Sequence, residues 1–467
     1  MQPILAKDAM QTDPLTLTLP DRAAQPHLTR LATGWLTLAL CSLVGAGLVV
    51  ILIVLARMPV IHNLIPWTGS FRTALVIHVD LSVLVWFLSF AGLLASLTLA
   101  ERFAGPGRVA LGTALLGTVI LTLSPVLGED APFMNNYVPV LNNMAFFTGI
   151  TLFTGGFALL ALLTLSGRRP ALQAGEQGLR FGLLSALLLF FVALASLAWS
   201  GLALRPMTTH NEHYFELLFW GSGHLLQFTH VQLQMLAWLW LSTHAGLRSF
   251  LTPRLTIPLF TLGALPALAG PVIHLLYPVD SGEYRLAFTD LMIYGGGLAA
   301  VPLSAMLAWS LWQSDRTDSP EQATLRLALR TSLILFLFGG MIGFMIRGVN
   351  VTIPSHYHGS ICAITLAYMG LTYHILPGLG FRRPAPRWSN LQLHLYAFGS
   401  LLHVIGLAWS GGHDVQRKTA GAAQGLATLT DKIPMWVMGA GGIIAVLGGV
   451  LFLVLAFRSL RQGRQHT

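Results

Sequence analysis

Charge is scarce in this chain. Only 10% of its 467 residues are Asp, Glu, Lys or Arg, and lysine occurs only as Lys7, Lys418 and Lys432. Soluble domains carry about 25% charged residues, so a water-soluble multidomain chain is excluded. Cysteine is nearly absent: Cys41 and Cys362 both lie inside apolar runs. Thiols so placed exclude a disulfide scaffold and a Cys-rich zinc or iron–sulfur centre. No Cys-x-x-Cys-His occurs, which excludes a covalent c-type haem. Residues 1–29 lack the basic, apolar and small-residue regions of a cleaved signal peptide, so the first apolar span is expected to serve as the insertion signal.

What the chain has is apolar surface, with 54% hydrophobic residues and a mean hydropathy of +0.68. Apolar segments fall near 31–56, 74–100, 108–128, 138–166, 179–203, 213–246, 255–279, 286–313, 327–346, 354–377, 391–411 and 433–457. Each supplies the roughly 20 residues that cross a ~30 Å hydrocarbon core. The expected fold is an all-α integral membrane protein of twelve transmembrane helices, with one membrane domain over 31–458 between short tails, 1–30 and 459–467.

In a soluble protein a net charge of +9 would point to nucleic acid. Here the basic residues mark membrane loops, and no nucleic-acid partner is expected. Nineteen of the 27 Lys and Arg fall on the side that holds both termini. Eight fall on the other: Arg57, Arg72, Arg205, Arg285, Arg347, Arg417, Lys418 and Lys432. That asymmetry places both termini in the cytoplasm of a bacterial-type inner (plasma) membrane protein.

Histidine inside a membrane is costly unless it pairs or ligates. With this orientation His78 (span 2), His224 (span 6), His274 (span 7) and both His356 and His358 (span 10) all lie in the outer half of the membrane. In "IPSHYHGSIC", His356 and His358 are two residues apart, about 200° round a helix, so they cannot share one metal. They can serve two sites. One face meets span 2, where His78 could be the partner ligand across a haem iron. The other gives a single histidine to a second iron with its sixth position open.

These residues resemble subunit I of the haem–copper oxidase superfamily, nearest the cbb3-type oxidase and nitric oxide reductase branches. "IHVDLSVLVWF" matches the family's span 2, and "IPSHYHGSICAITLAYMGLTYHILP" its span 10. The resemblance implies His78 and His358 as ligands of a low-spin haem and His356 as the proximal ligand of a high-spin haem, both haems of b, o or a type. "WGSGH", with Trp220 and Gly223 before His224, resembles the motif whose histidine binds copper. Arg417 and Lys418 in "HDVQRKTAG" resemble the basic pair that meets haem propionates in the family, and Arg347, before span 10, could serve the same electrostatic role.

The pattern breaks at "AGPVIHLLYP". Where the family has a histidine pair, this chain has Val272 and Ile273, with His274 next. One copper or non-haem iron would then keep His224 and, through a local rotation of the helix, His274. Pro266 stands where the cbb3 type has its tyrosine, with Tyr277 as a substitute, and Phe228 where nitric oxide reductases have a glutamate. Glu216, Asp290 and Asp80 lie in apolar runs as candidates for a proton path or for bonds to ligating imidazoles, Asp290 being the most embedded. "HNEHYFE", 210–216, reads as an interfacial loop.

The resemblance implies a respiratory terminal oxidase subunit that passes electrons to a high-spin haem reducing O2. The alternatives are a nitric oxide reductase-like subunit or a diverged di-haem electron-transfer or gas-binding protein without copper. The partners implied are other respiratory-complex subunits, with an outer-side cytochrome c or cupredoxin-like donor or quinol, and membrane lipid.

Overall fold

The computed structural model describes residues 14–64, 70–128, 132–167, 173–247, 252–314 and 319–462. The outer parts of both expected tails, 1–13 and 463–467, lie outside the described residues.

Twelve long helices follow in the expected order. Helix 1 is Pro26–Arg57, helix 2 Phe71–Thr98, helix 3 Glu101–Leu127, helix 4 Met144–Ser166 and helix 5 Ala174–Ala203. Helix 6 is Glu212–His244. Helix 7 is Arg254–Leu276, helix 8 Gly282–Gln313, helix 9 Pro320–Gly343, helix 10 Thr352–Gly378, helix 11 Pro386–Gly411 and helix 12 Leu429–Arg461. Eleven are long and apolar enough to cross a membrane. Helix 6 is as long, at 33 residues, but carries two glutamates, four histidines and three glutamines.

Side-chain caps fix where several helices begin. Asn143 accepts from Phe146 N–H at 2.8 Å, Asn211 from Tyr214 at 3.1 Å and Ser281 from Tyr284 at 3.1 Å. Thr428 and Asp431 form a capping box at helix 12. The expected loop 210–216 is therefore largely the first turn of helix 6. Before helix 1, Leu15 and Leu17 are buried, and the Thr18 hydroxyl donates to Glu176 at 2.9 Å.

Three helices are irregular, two of them where the histidine pattern sits. Helix 2 carries a π-turn at Asp80–Val85, directly after His78. Helix 7 tightens to a 3-10 turn at Leu265–Leu268, just before Ala269-Gly270-Pro271. Helix 8 carries a second π-turn at Leu291–Gly295. Such turns shift the phase of every residue beyond them. Helices 10 and 2 lie deepest, with 78% and 67% of their most apolar windows buried, so these two histidine-bearing helices form the centre. Trp86 and Phe90 of helix 2 pack on Tyr368 of helix 10, with centroids 6.0 and 4.0 Å away, two to three turns below the histidines. A short hairpin, Pro132–Phe133 with Val140–Leu141, carries Asn136 and Tyr137 over one end of the bundle.

Candidate haem sites

His78, His356 and His358 lie seven, four and six residues from the starts of helices 2 and 10. At 1.5 Å per residue they share a band about 6–10 Å below that end of the bundle. Their Nδ1 atoms each meet a backbone carbonyl: His78 on Ala46 of helix 1 at 3.1 Å, His356 on Gly339 of helix 9 at 2.8 Å, and His358 on Pro354 of its own helix at 2.7 Å. His224 likewise meets Trp220 at 2.7 Å. A carbonyl only accepts, so each ring carries its proton on Nδ1 and keeps the Nε2 lone pair. Among the described residues no hydrogen bond is made to these Nε2 atoms. This arrangement, one nitrogen anchored and the other free, is how a metal-ligating imidazole is oriented. The residues present fit haem ligation.

His356 and His358 diverge as their spacing requires. His356 turns to helix 9, where Gly343 leaves room for it: a Cβ there would lie 2.8 Å from its Nδ1. His358 turns the other way and touches His403 of helix 11, centroids 5.0 Å apart. His78 and His403 both lie within electrostatic reach of His358.

The copper expectation fares differently. His224 packs against Tyr137, Trp220 and Phe288, with centroids 4.7, 4.9 and 5.8 Å away. Gly221 and Gly223 of "WGSGH" admit two tyrosines, since a Cβ would lie 2.3 Å from the Tyr284 hydroxyl or 2.1 Å from Tyr137 Cγ. His274 is held through the opposite nitrogen: its Nε2 meets Ser196 Oγ at 2.7 Å and the Tyr284 hydroxyl at 3.5 Å. Its ring stacks on Trp199 at 5.3 Å. The tyrosine beside it is Tyr284, not Tyr277. Val272 is 50% exposed on the outside of the bundle. Phe288 lies against both His224 and His274, and among the described residues no three His, Cys, Asp or Glu gather to hold an ion. This donor set does not fit a copper or non-haem iron.

The acids separate too. Glu216 accepts from Asn136 N–H at 2.8 Å. Asp80 is buried with no partner for Oδ2. Asp290, expected deepest, is exposed on the flank of the bundle beside Tyr294.

Above the histidine band the loop 412–428 closes over helix 10 through Val351 N–H to Val415 O, 3.0 Å, and Asn350 Nδ2 to Asp414, 3.0 Å. Arg417 donates to Asn136, and Lys418 to the carbonyls of Met134 and Asn135. Arg72 pairs with Glu212 at 3.0 Å. Of these, Arg72, Glu212, Arg417 and Lys418 line a cavity of about 560 Å³. Arg347 is exposed in the turn before helix 10. Arg57, which the sequence did not single out, is buried beneath the loop and donates to Gln424 at 3.4 Å.

Burial and the neighbouring Arg417 push the Lys418 ammonium down to about 8, against the pull of Glu216. A lysine lowered on folding binds fewer protons folded than unfolded between about 8 and its free value of ~10.4. Its penalty is full below that window and is relieved as pH rises through it. Thermal unfolding in detergent is expected to show stability gained between pH 8 and 10 in the wild type, and a flatter profile in Lys418→Met.

Sequence reasoning missed His403, which is half-buried. His403 lies alone in "LLHVIGLAW", and its depth was its signal. His230, fully buried, stands six positions from His224, about 240° round helix 6, a spacing that makes it a poor second ligand. It packs against Phe87 at 5.0 Å with neither ring nitrogen partnered. Burial alone does not mark the histidine band, because His244 and His374 lie against each other at the opposite end, centroids 3.9 Å apart.

The bundle has the fold of a haem–copper oxidase. A solved haem–copper terminal oxidase dimer superposes with a TM-score of 0.67 over 94% of this chain and 84% of that one, at 14% identity. No family model matches the chain. In sequence it is 28% identical to an uncharacterized protein of Rickettsia prowazekii, over 93% of this chain and 96% of that one. It is 27% identical to an uncharacterized protein of Aquifex aeolicus, over 74% and 85%. It is 23% identical to cytochrome c oxidase subunit 1 of Thermus thermophilus, over 86% and 78%. The resemblance to the haem–copper oxidase superfamily is thus borne out at the level of the fold.

Proposed function

We propose that this chain is a divergent oxidase-type subunit I of a bacterial respiratory membrane, one domain over 31–458 with both termini cytoplasmic. Its work is electron transfer between two non-covalent haems. The observation that carries this reading is the set of anchored imidazoles, protonated on Nδ1 and free at Nε2, at one depth on helices 2 and 10. His78 and His358 would hold a low-spin haem and His356 a high-spin one. A haem between two imidazoles supplies one-electron transfer, and a haem on one imidazole supplies an open position for O2 or NO. The chain's residues do the rest. Carbonyls of Ala46, Gly339 and Pro354 fix the three rings. Arg57, Arg347, Arg417 and Lys418 concentrate positive charge at the outer end, where haem propionates and an anionic face of a cytochrome c or cupredoxin-like donor subunit would be stabilised.

A second reading, a complete haem–copper oxidase or nitric oxide reductase-like subunit, is favoured by the free Nε2 of His224. It is opposed by His274, whose Nε2 is occupied by Ser196. Metal and pyridine-haemochrome analysis of the purified protein tests both. The expected result is about two haems per chain with copper and non-haem iron far below one. One copper per chain would establish the second reading, and a chain without haem would sink both.

A further inference from the structure

We infer that the low-spin haem site contains a third histidine: His403 is a reserve axial ligand that takes the position opposite His78 when His358 is lost. This rests on the haem reading above. His403 lies eight residues before the outer end of helix 11, ~12 Å deep at 1.5 Å per residue, against ~9 Å for His358. The two rings touch, 5.0 Å between centroids.

The fold builds this position with care. Helices 11 and 12 meet along glycines: a Cβ on Gly441 would lie 2.4 Å from His403 N, and one on Gly406 2.3 Å from Met438 N. That approach brings the Met438 carbonyl to His403 Nδ1 at 3.0 Å. His403 is thus anchored across helices like His78 and His356, whereas His358 relies on its own turn. A carbonyl acceptor again leaves Nε2 as the free lone pair. His78 lies within electrostatic reach of His403 as it does of His358. A packing histidine would need neither the cross-helix anchor nor the shared depth.

The test is electron paramagnetic resonance of the oxidised holoprotein, with optical spectra of the reduced form. H403A alone is expected to keep the wild-type low-spin signal. H358A is expected to keep a six-coordinate low-spin haem with altered g-values. H358A/H403F, which preserves ring volume at 403, is expected to lose it and gain a five-coordinate high-spin signal. The high-spin haem on His356 is the internal control for folding. Loss of the low-spin haem signal in H358A alone, or an unchanged low-spin haem in H358A/H403F, would overturn the proposal while the haem reading stands. If H78A keeps the wild-type low-spin signal, the haem placement falls and the proposal with it.

Discussion

Replacing His78 with alanine is expected to remove the low-spin haem signal completely, the largest spectroscopic effect of any single change in the chain. Helix 2 brings one imidazole to the band, so nothing on that side can replace it. Its ring is fixed from outside helix 2, by the Ala46 carbonyl of helix 1 at 3.1 Å. Its own carbonyl, at the edge of the π-turn, accepts from the Ser82 hydroxyl at 2.6 Å. The π-turn inserts extra backbone below His78, so the aromatic contacts of Trp86 and Phe90 with Tyr368 can be met while the imidazole keeps its own direction. Loss of one axial imidazole converts a six-coordinate haem to a five-coordinate one or releases it, and haem content falls from about two per chain toward one. His394→Ala is the matched control. His394 has the same Nδ1-to-carbonyl bond, to Asn390 at 2.8 Å, but is exposed at another level. Its loss leaves the spectra unchanged, and an unaltered low-spin signal in His78→Ala would count against the site.

Much of this arrangement was legible because a bilayer imposes length and polarity on the chain. Twelve spans could be counted from apolar runs, and the H-x-H spacing set His356 and His358 on opposite faces, toward helices 9 and 11. The parts that were not legible depend on phase or on distant partners. The 3-10 turn at Leu265–Leu268 changes the direction of His274 without altering the apolar pattern, so neither Ser196 nor Tyr284 was readable as its neighbour. Arg417 and Lys418 find their partners on a hairpin some 280 residues earlier, loop against loop, where no periodicity operates. Asp290 shows the limit of an apolar run as a guide to depth. Leu286, Ile293 and Tyr294 near it are exposed on the outside of the bundle rather than buried in protein, and the apolar run is the same in either case. His403 carries no motif, and only the joint level of several helices marks it.

Gly359→Leu is expected to have the largest effect on stability, and to reach the high-spin haem through its anchor. Helices 9 and 10 cross at Gly339 and Gly359. A Cβ on Gly359 would stand 2.5 Å from Gly339 Cα and 3.1 Å from Leu335 O, contacts with backbone that no rotamer relieves. Helices in a membrane are held by close packing rather than by a hydrophobic force between them, so this contact carries much of the pair's cohesion. Overpacking of this kind costs about 1–3 kcal/mol, occasionally more. The same displacement moves the Gly339 carbonyl, which holds His356 Nδ1 at 2.8 Å. Opening the crossing by about 1 Å carries that bond beyond hydrogen-bonding range. The melting temperature in detergent and the high-spin haem content should therefore fall together. Gly340, one residue along, has nothing within 4 Å of its Cβ position. Gly340→Ala should hold the spectrum and gain roughly 0.5–1 kcal/mol from helix propensity. A Gly359→Leu protein with wild-type melting and wild-type spectra would mean that this crossing neither holds the bundle together nor orients His356.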